Sequence, residues 1–495
     1  MSIDPRTPVI VGVGQVVQRA AGVDDARSPV QLIADAVRAA ATDAGLAAVP
    51  DVDSLRVVQL LSWRYRDPAR FVADELGITA AETVYTTSGG NTPQMLVNQT
   101  ALEIQAGTVD LVVLSGGETW RTRMRARKAG MQLPWPVVAP DVAPTRVMGV
   151  EEPMSLEEEK ARGIVMPVQV YPMFETALRA EAGESVDEHQ RKISELWARF
   201  AAVAKDNPYA WVRTGPSAEE IRTASASNRM IGFPYPKMMN SNNDVDQTAA
   251  IIMCSVERAR ILGISEDRWV FPHAGTDCHE HYAVSHRWSF HTTPAIERGG
   301  RRVLELAGVG IDDIGVVDLY SCFPSAVQLG AKSLGLSIDQ QLTRTGGLPF
   351  AGGPWNNYVM HAIATVVTDL RERPGQRGLV WANGGYTTKH AFGVYSTEPP
   401  TAGFRHDESF QRELDASPRR ALAPVDEAAG PATVEAYSVM HDRDGHPETA
   451  YAACLLADGR RAWGTSADAA LGAAMCAGEW VGRAVTLGAD GTLLA

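Results

Sequence analysis

Covalent chemistry needs a nucleophile, and the sequence-level candidates in this 495-residue chain are its five cysteines, at 254, 278, 322, 454 and 476. They form no CxxC pair and no dense framework, so neither a structural zinc site nor a disulfide scaffold is expected, and a reducing cytoplasm fits best. Asp277, Cys278, His279, His281, His286 and His291 gather ligand-type side chains in one stretch. Their spacing matches no strong zinc signature, so hydrogen-bonding or surface roles are expected and no metal. The other chemistry-bearing features are glycine-rich turns: Ser88-Gly89-Gly90-Asn91, Ala351-Gly352-Gly353-Pro354 and Asn383-Gly384-Gly385. A glycine turn at a strand-to-helix junction lets the backbone approach a ligand and aims N–H groups at negative charge. An isolated Gly-Gly pair more often only relieves crowding, but recurrence in equivalent places favours a site. Gly89, Gly90, Asn91, Gly352, Gly353, Asn383, Gly384 and Gly385 are therefore the candidate ligand contacts.

The elements that must position these turns repeat. Pro8-Val9-Ile10-Val11-Gly12-Val13-Gly14 reads as a buried strand. Ser28-Pro29 then reads as an N-cap with proline at the first helical position, and Leu32, Ile33, Ala36, Val37, Ala40 and Ala41 keep helical spacing until Gly45. Pro294 opens a matching helix ending at Ala307-Gly308, followed by the strand Val316-Val317-Asp318-Leu319-Tyr320, as Leu55-Arg56-Val57-Val58 follows the first. The turns Ser88 to Asn91 and Ala351 to Pro354 each lead a helix and then an apolar strand, Asp110 to Gly117 in one half and Gly378 to Gly385 in the other. Two similar β/α halves predict a layered α/β fold with mostly parallel central sheets.

The predicted organisation is an N-terminal half at 1–290 carrying an irregular insertion at 118–245, a second half at 291–407, a linker at 408–422 and a small antiparallel barrel at 423–495. The insertion holds Arg121, Arg123, Arg125, Arg127 and Lys128, and a helix from Val186 to Lys205 with Ile193, Leu196, Trp197, Phe200 and Val203 on one side. The C-terminal part alternates β-like runs with turns such as Asp442-Arg443-Asp444-Gly445, in the texture of an OB-like barrel.

The formal charge of −13 and pI near 5.4 argue against nucleic acid as a partner, whose phosphates demand many Lys and Arg. A polyanionic small molecule can still be held by a few arginines and a helix N-terminus. Apolar residues at 45% and charged residues at 21% mark a soluble enzyme-like chain, and no apolar stretch of about 18 residues predicts a membrane span.

On these residues the chain resembles the thiolase superfamily, in its sterol-carrier-protein-type branch. Ser88 to Glu118 is similar to the nucleophile-helix-strand segment, ending in Gly116-Gly117-Glu118. Asp244 to Ala250 resembles the Asp-Gly-Ala-Ala stretch, Leu319-Tyr320-Ser321-Cys322-Phe323 the His-Asp-Cys-Phe motif, and Gly352-Gly353-Pro354 the Gly-His-Pro block. The resemblance covers about residues 8 to 400 and implies a thiolase fold with layers α-β-α-β-α. It also implies lost chemistry: the nucleophilic cysteine position falls on Gly90, one histidine position on Gly353 and the other on Tyr320.

The resemblance therefore implies a protein that binds CoA or acyl-CoA, needs no cofactor and lacks thiolase activity, within the lipid, fatty-acid and sterol chemistry of that family. Side-chain loss at both glycine turns is expected to leave room and free backbone amides. Tyr320, as an acid/base group with Cys322 beside it, is the alternative catalytic site for acyl transfer or retro-aldol cleavage, provided the environment lowers the tyrosine pKa. A third reading is a scaffold that docks a partner protein through the C-terminal barrel. The family implies a dimer, with a monomer as the alternative.

Overall fold

The computed structural model describes residues 3–136 and 142–495, so positions 137–141 of the insertion lie outside the described residues. Ser28 caps the first helix, Pro29–Asp43, by accepting from the Gln31 amide, and its apolar stripe is buried against the strand Pro8–Val17. Proline likewise starts Pro294–Ala307, which ends on left-handed Gly308. The duplicated order of parts thus becomes two duplicated structural units.

Each unit builds one sheet. The first runs Pro8–Val17, Asp246–Ser255, Leu111–Thr119, Val52–Val57, Ala80–Thr86, Arg146–Met148. The second runs Ile314–Leu319, Arg377–Gly384, Lys389–Ser396, Phe271–His279, Arg405–Asp407. The helices Thr92–Ala106 and Tyr358–Glu372 touch each other and strands of both sheets, so they form the central layer, and Pro29–Asp43 and Pro294–Ala307 cover the outer faces. This is the α-β-α-β-α arrangement.

The sheets are mixed rather than mostly parallel. Asp246–Ser255 pairs antiparallel with both neighbours, and Arg377–Gly384 turns back directly into Lys389–Ser396 as an antiparallel hairpin. Continuous apolar runs read as doubly buried strands, and burial on both faces carries no information about strand direction.

The C-terminal sheet is antiparallel, ordered Arg461–Ser466, Pro447–Leu456, Gly430–His441, Ala484–Leu487, Leu493–Leu494. Its edges meet through one isolated bridge, Thr465 to Thr492, so the ladder curls without closing into a barrel. Trp480-Val481-Gly482-Arg483 form the turn that leads into Ala484–Leu487. The insertion strand Met230–Phe233 also pairs with Gly430–His441. Ala436, Tyr451, Ala453 and Trp463 belong to the same buried cluster as residues of the two α/β halves, so one face of this sheet is already packed against them.

Further ties are polar. Arg461, fully buried, pairs with Glu435 and donates to the carbonyls of Ser285 and Arg287, and the Tyr437 carbonyl accepts from Thr176 Oγ1. Buried guanidinium groups persist only when every donor is used in this way. The stretch 408–422 carries the short helix Gln411–Asp415, whose Gln411 exchanges hydrogen bonds with the His279 backbone.

In the insertion, Ile193, Leu196, Trp197 and Phe200 of the helix Val186–Asp206 are buried, each contributing roughly 1.5–3 kcal/mol, while Val203 stays partly exposed. The basic run forms the helix Trp120–Ala129, and its arginines are largely committed. Arg121 pairs with Asp244, Arg123 donates to the Leu61 carbonyl, and Arg125 to those of Ala20 and Ala21.

Candidate functional site

The two halves and the insertion enclose a cavity of about 420 Å³ whose wall includes Gly89, Gly90, Tyr320, Cys322 and Gly385. Five of the sequence-predicted site residues therefore converge. Gly352 and Gly353 do not join the wall, and Asn91 lines a neighbouring cavity of about 490 Å³. Asn383 and Gly384 stand just behind Gly90: the Asn383 carbonyl faces it, and Gly384 packs on its amide nitrogen.

The expectation of room at the glycine turns is overturned by what fills them. A Cβ placed on Gly90 would lie 2.4 Å from the Asn383 carbonyl oxygen and 2.8 Å from Tyr320 Oη. The Tyr320 phenol thus occupies the volume that a side chain at position 90 would need. At Gly353 the space is taken by Ser241 Oγ, 2.3 Å from a built Cβ. One amide in each turn is also engaged: Gly89 N–H donates to Asn356 Oδ1 at 3.0 Å and Gly353 N–H to the Asn242 carbonyl at 2.8 Å.

Electrostatics decide what Tyr320 and Cys322 can do. Burial pushes the Cys322 thiol up to about 12, so at neutral pH it is a thiol and a poor nucleophile. Burial, with Cys322 and Tyr171 nearby, also pushes Tyr320 well above the ordinary phenol range. A base needs a lowered pKa, so the neutral phenol is fitted instead to donate a hydrogen bond or proton. Among the described residues, nothing hydrogen-bonds its hydroxyl, which faces the cavity.

Residues without a sequence signature complete the wall. Tyr171, from the insertion helix Pro167–Ala182, donates from its hydroxyl to the Gly385 carbonyl at 2.9 Å. The same hydroxyl accepts from Asn383 Nδ2 and from the Thr387 amide, both at 3.1 Å. Its ring stacks on Phe323 with centroids 4.5 Å apart. Leu61, Met154, Met166, Val168 and Leu348 supply an apolar side, and Asn240, Ser241, Asn243 and Lys389 a polar one. Glu118, which ends the Gly116-Gly117-Glu118 motif, is pushed up to about 7 by burial and accepts from the amides of Leu61 and Ser62, pinning that loop to the wall.

The histidine-rich stretch does not converge on a metal-sized point. His279 bonds the Glu280 carbonyl, His281 the Ser417 carbonyl, and Asp277 pairs with His406. Among the described residues no group of three or more His, Cys, Asp or Glu could hold a metal ion, and no helix is long and apolar enough to cross a membrane.

Comparison with known proteins places this geometry. Residues 409–492 match the family profile "Thiolase-like protein type 1 additional C-terminal domain". A solved structure, a monomeric SCP2-thiolase-like protein type 1 from Mycobacterium smegmatis, is similar with TM-score 0.83 and 34% identity over 99% of both chains. The Ltp2-ChsH2(DUF35) aldolase matches with TM-score 0.58 and 21% identity, over 80% of this chain and 99% of that one, and shares the fold. Benzoylsuccinyl-CoA thiolase subunit BbsB from Thauera aromatica is 27% identical over 140 residues, which are 27% of this chain and 32% of the relative's length. The chain therefore spans about a third of that curated relative.

Proposed function

The chain belongs to the SCP2-thiolase-like protein type 1 family, and from that premise we infer that it binds CoA or acyl-CoA thioesters without thiolase activity. One observation carries the reading: at the turn where the resemblance puts the nucleophile there is Gly90, and Tyr320 fills the side-chain space. The cavity beside it keeps an apolar wall for an acyl chain and a hydrogen-bond donor for a thioester carbonyl. Thiolysis needs a thiolate that carries the acyl group, and Cys322, held protonated, is the one cysteine in the wall.

A second reading, acyl transfer or retro-aldol cleavage with Tyr320 as acid/base, is supported by the phenol's place in the cavity wall but lacks the lowered pKa it requires, since burial raises that group. Both faces of the C-terminal sheet are buried, one against the two halves and the other in its own core cluster, which leaves the edges and loops of this region for a partner protein. The test is calorimetry with CoA and acetoacetyl-CoA, run beside a thiolysis assay on the same protein. Saturable binding with no acetoacetyl-CoA consumption supports the reading; absence of binding, or thiolysis, refutes it.

A further inference from the structure

We propose that Lys389 is the covalent residue of this cavity, forming a reversible imine with the ketone carbonyl of a 3-oxoacyl thioester. The inference rests on the thioester-binding reading above and names the substrate class. Lys389 opens the strand Lys389–Ser396, directly after the Gly384-Gly385 hairpin, and is the lysine that lines the cavity. It also lines the neighbouring cavity of about 490 Å³, so its amine stands where the two spaces meet.

Its position is that of a nucleophile. A Cβ built on Gly89 would lie 3.0 Å from Lys389 Nζ, as one built on Gly90 would lie 2.8 Å from Tyr320 Oη. Cα atoms of adjacent residues are about 3.8 Å apart, so the amine and the phenol flank one short segment of turn. The amine donates to the Ser88 carbonyl and has no carboxylate within 4.0 Å among the described residues, which leaves it without the ion pair that would lock it as a cation. Burial lowers its pKa, with the Glu151 carboxylate opposing in part. A partly desolvated lysine without an ion-pair partner is a form of amine able to attack carbonyl substrates.

The step balances. The neutral Nζ lone pair attacks the ketone carbon, a C–N bond forms, and the carbonyl π pair moves to oxygen, which takes the Tyr320 phenolic proton. Nζ gives one proton back to the tyrosinate. Tyr320 then passes its proton to the hydroxyl, which leaves as water, and takes the second Nζ proton in its place, so R₂C=O and Lys389–NH₂ become R₂C=N–Lys389 and H₂O. Addition of water reverses the sequence, and no oxidant or metal enters.

The full-length protein incubated with acetoacetyl-CoA and cyanoborohydride should carry one reduced adduct, mapped by peptide mass spectrometry to Lys389. Lys389→Arg, which keeps the cation and removes the neutral amine, should lose it. No adduct on the wild-type protein, or labelling spread over surface lysines in proportion to exposure, overturns the proposal without needing the variant to fold. Calorimetry with CoA on the same preparation separates the two claims. CoA binding without a Lys389 adduct overturns this inference and leaves the binding reading intact. A Lys389 adduct from methyl acetoacetate without CoA binding keeps the imine and overturns the thioester reading.

Discussion

Placing a cysteine in the turn by Gly90→Cys tests the site most sharply, because the structure predicts that it damages packing rather than creating thiolysis. The new Cβ would meet the Asn383 carbonyl oxygen at 2.4 Å and Tyr320 Oη at 2.8 Å, both inside normal contact. The Asn383 backbone is held in the ladder between Arg377–Gly384 and Lys389–Ser396, so it cannot retreat cheaply. Overpacking of this kind costs about 1–3 kcal/mol. Gly90→Ala isolates the Cβ, and Tyr320→Phe removes the 2.8 Å contact but leaves the ring carbon at 3.1 Å. A double-mutant cycle between them should therefore show a coupling of about 0.5 kcal/mol or more, as expected for residues that share one volume. Urea denaturation of the four proteins gives the cycle, and a thiolysis assay of Gly90→Cys accompanies it. If Gly90→Ala is within about 0.5 kcal/mol of wild type and Gly90→Cys cleaves acetoacetyl-CoA, the reasoning fails.

Tyr320→Phe should weaken acyl-CoA affinity by about 0.5–1.5 kcal/mol, the worth of one hydrogen bond, while CoA itself binds nearly unchanged by calorimetry. Cys322 should resist iodoacetamide in the folded protein at pH 7.5 and react after denaturation, since burial holds its thiol near 12; rapid folded-state alkylation would contradict this. Arg461→Ala should cost about 1–3 kcal/mol by leaving the half-buried Glu435 and the Ser285 and Arg287 carbonyls without their donor, and a thermal midpoint within a degree of wild type would refute that coupling. For His189, burial alone would lower the pKa, but Glu175 and Glu184 outweigh it and hold the imidazole above its usual range. Its contribution is then fully present below about pH 6.5 and is lost as pH rises through the folded value, at about 1.4 kcal/mol per unit of elevation. His189→Gln should flatten that part of the stability profile, and an unchanged profile would remove His189 as its source.

Much of the architecture is legible in the sequence because repetition is a property of residue order. The helices after Ser28 and Pro294, and the turns at Gly90 and Gly353, mark two related halves by residue type and spacing alone. Strand direction is not legible, since Ile251, Ile252 and Met253 are buried on both sides whichever way the strand runs. The site is half legible: Gly90, Tyr320 and Cys322 can be located by motif, but a glycine does not reveal whether its missing side chain leaves a void. Here Tyr320 answers for Gly90 and Ser241 for Gly353, and both pairings join residues far apart along the chain. Tyr171, Met154 and Met166 come from an insertion whose spacing carries no signal. Lys389 is not legible either: no motif marks it, and only the fold brings its amine beside Gly89.

A crystal of the full chain soaked with acetoacetyl-CoA, its thioester region read in difference density, tests the account most directly. The account predicts an uncleaved thioester in the 420 Å³ cavity, its carbonyl within hydrogen-bond reach of Tyr320 Oη and its acyl end toward Lys389. An acyl group transferred to Cys322, or ligand bound only outside this cavity, would contradict it.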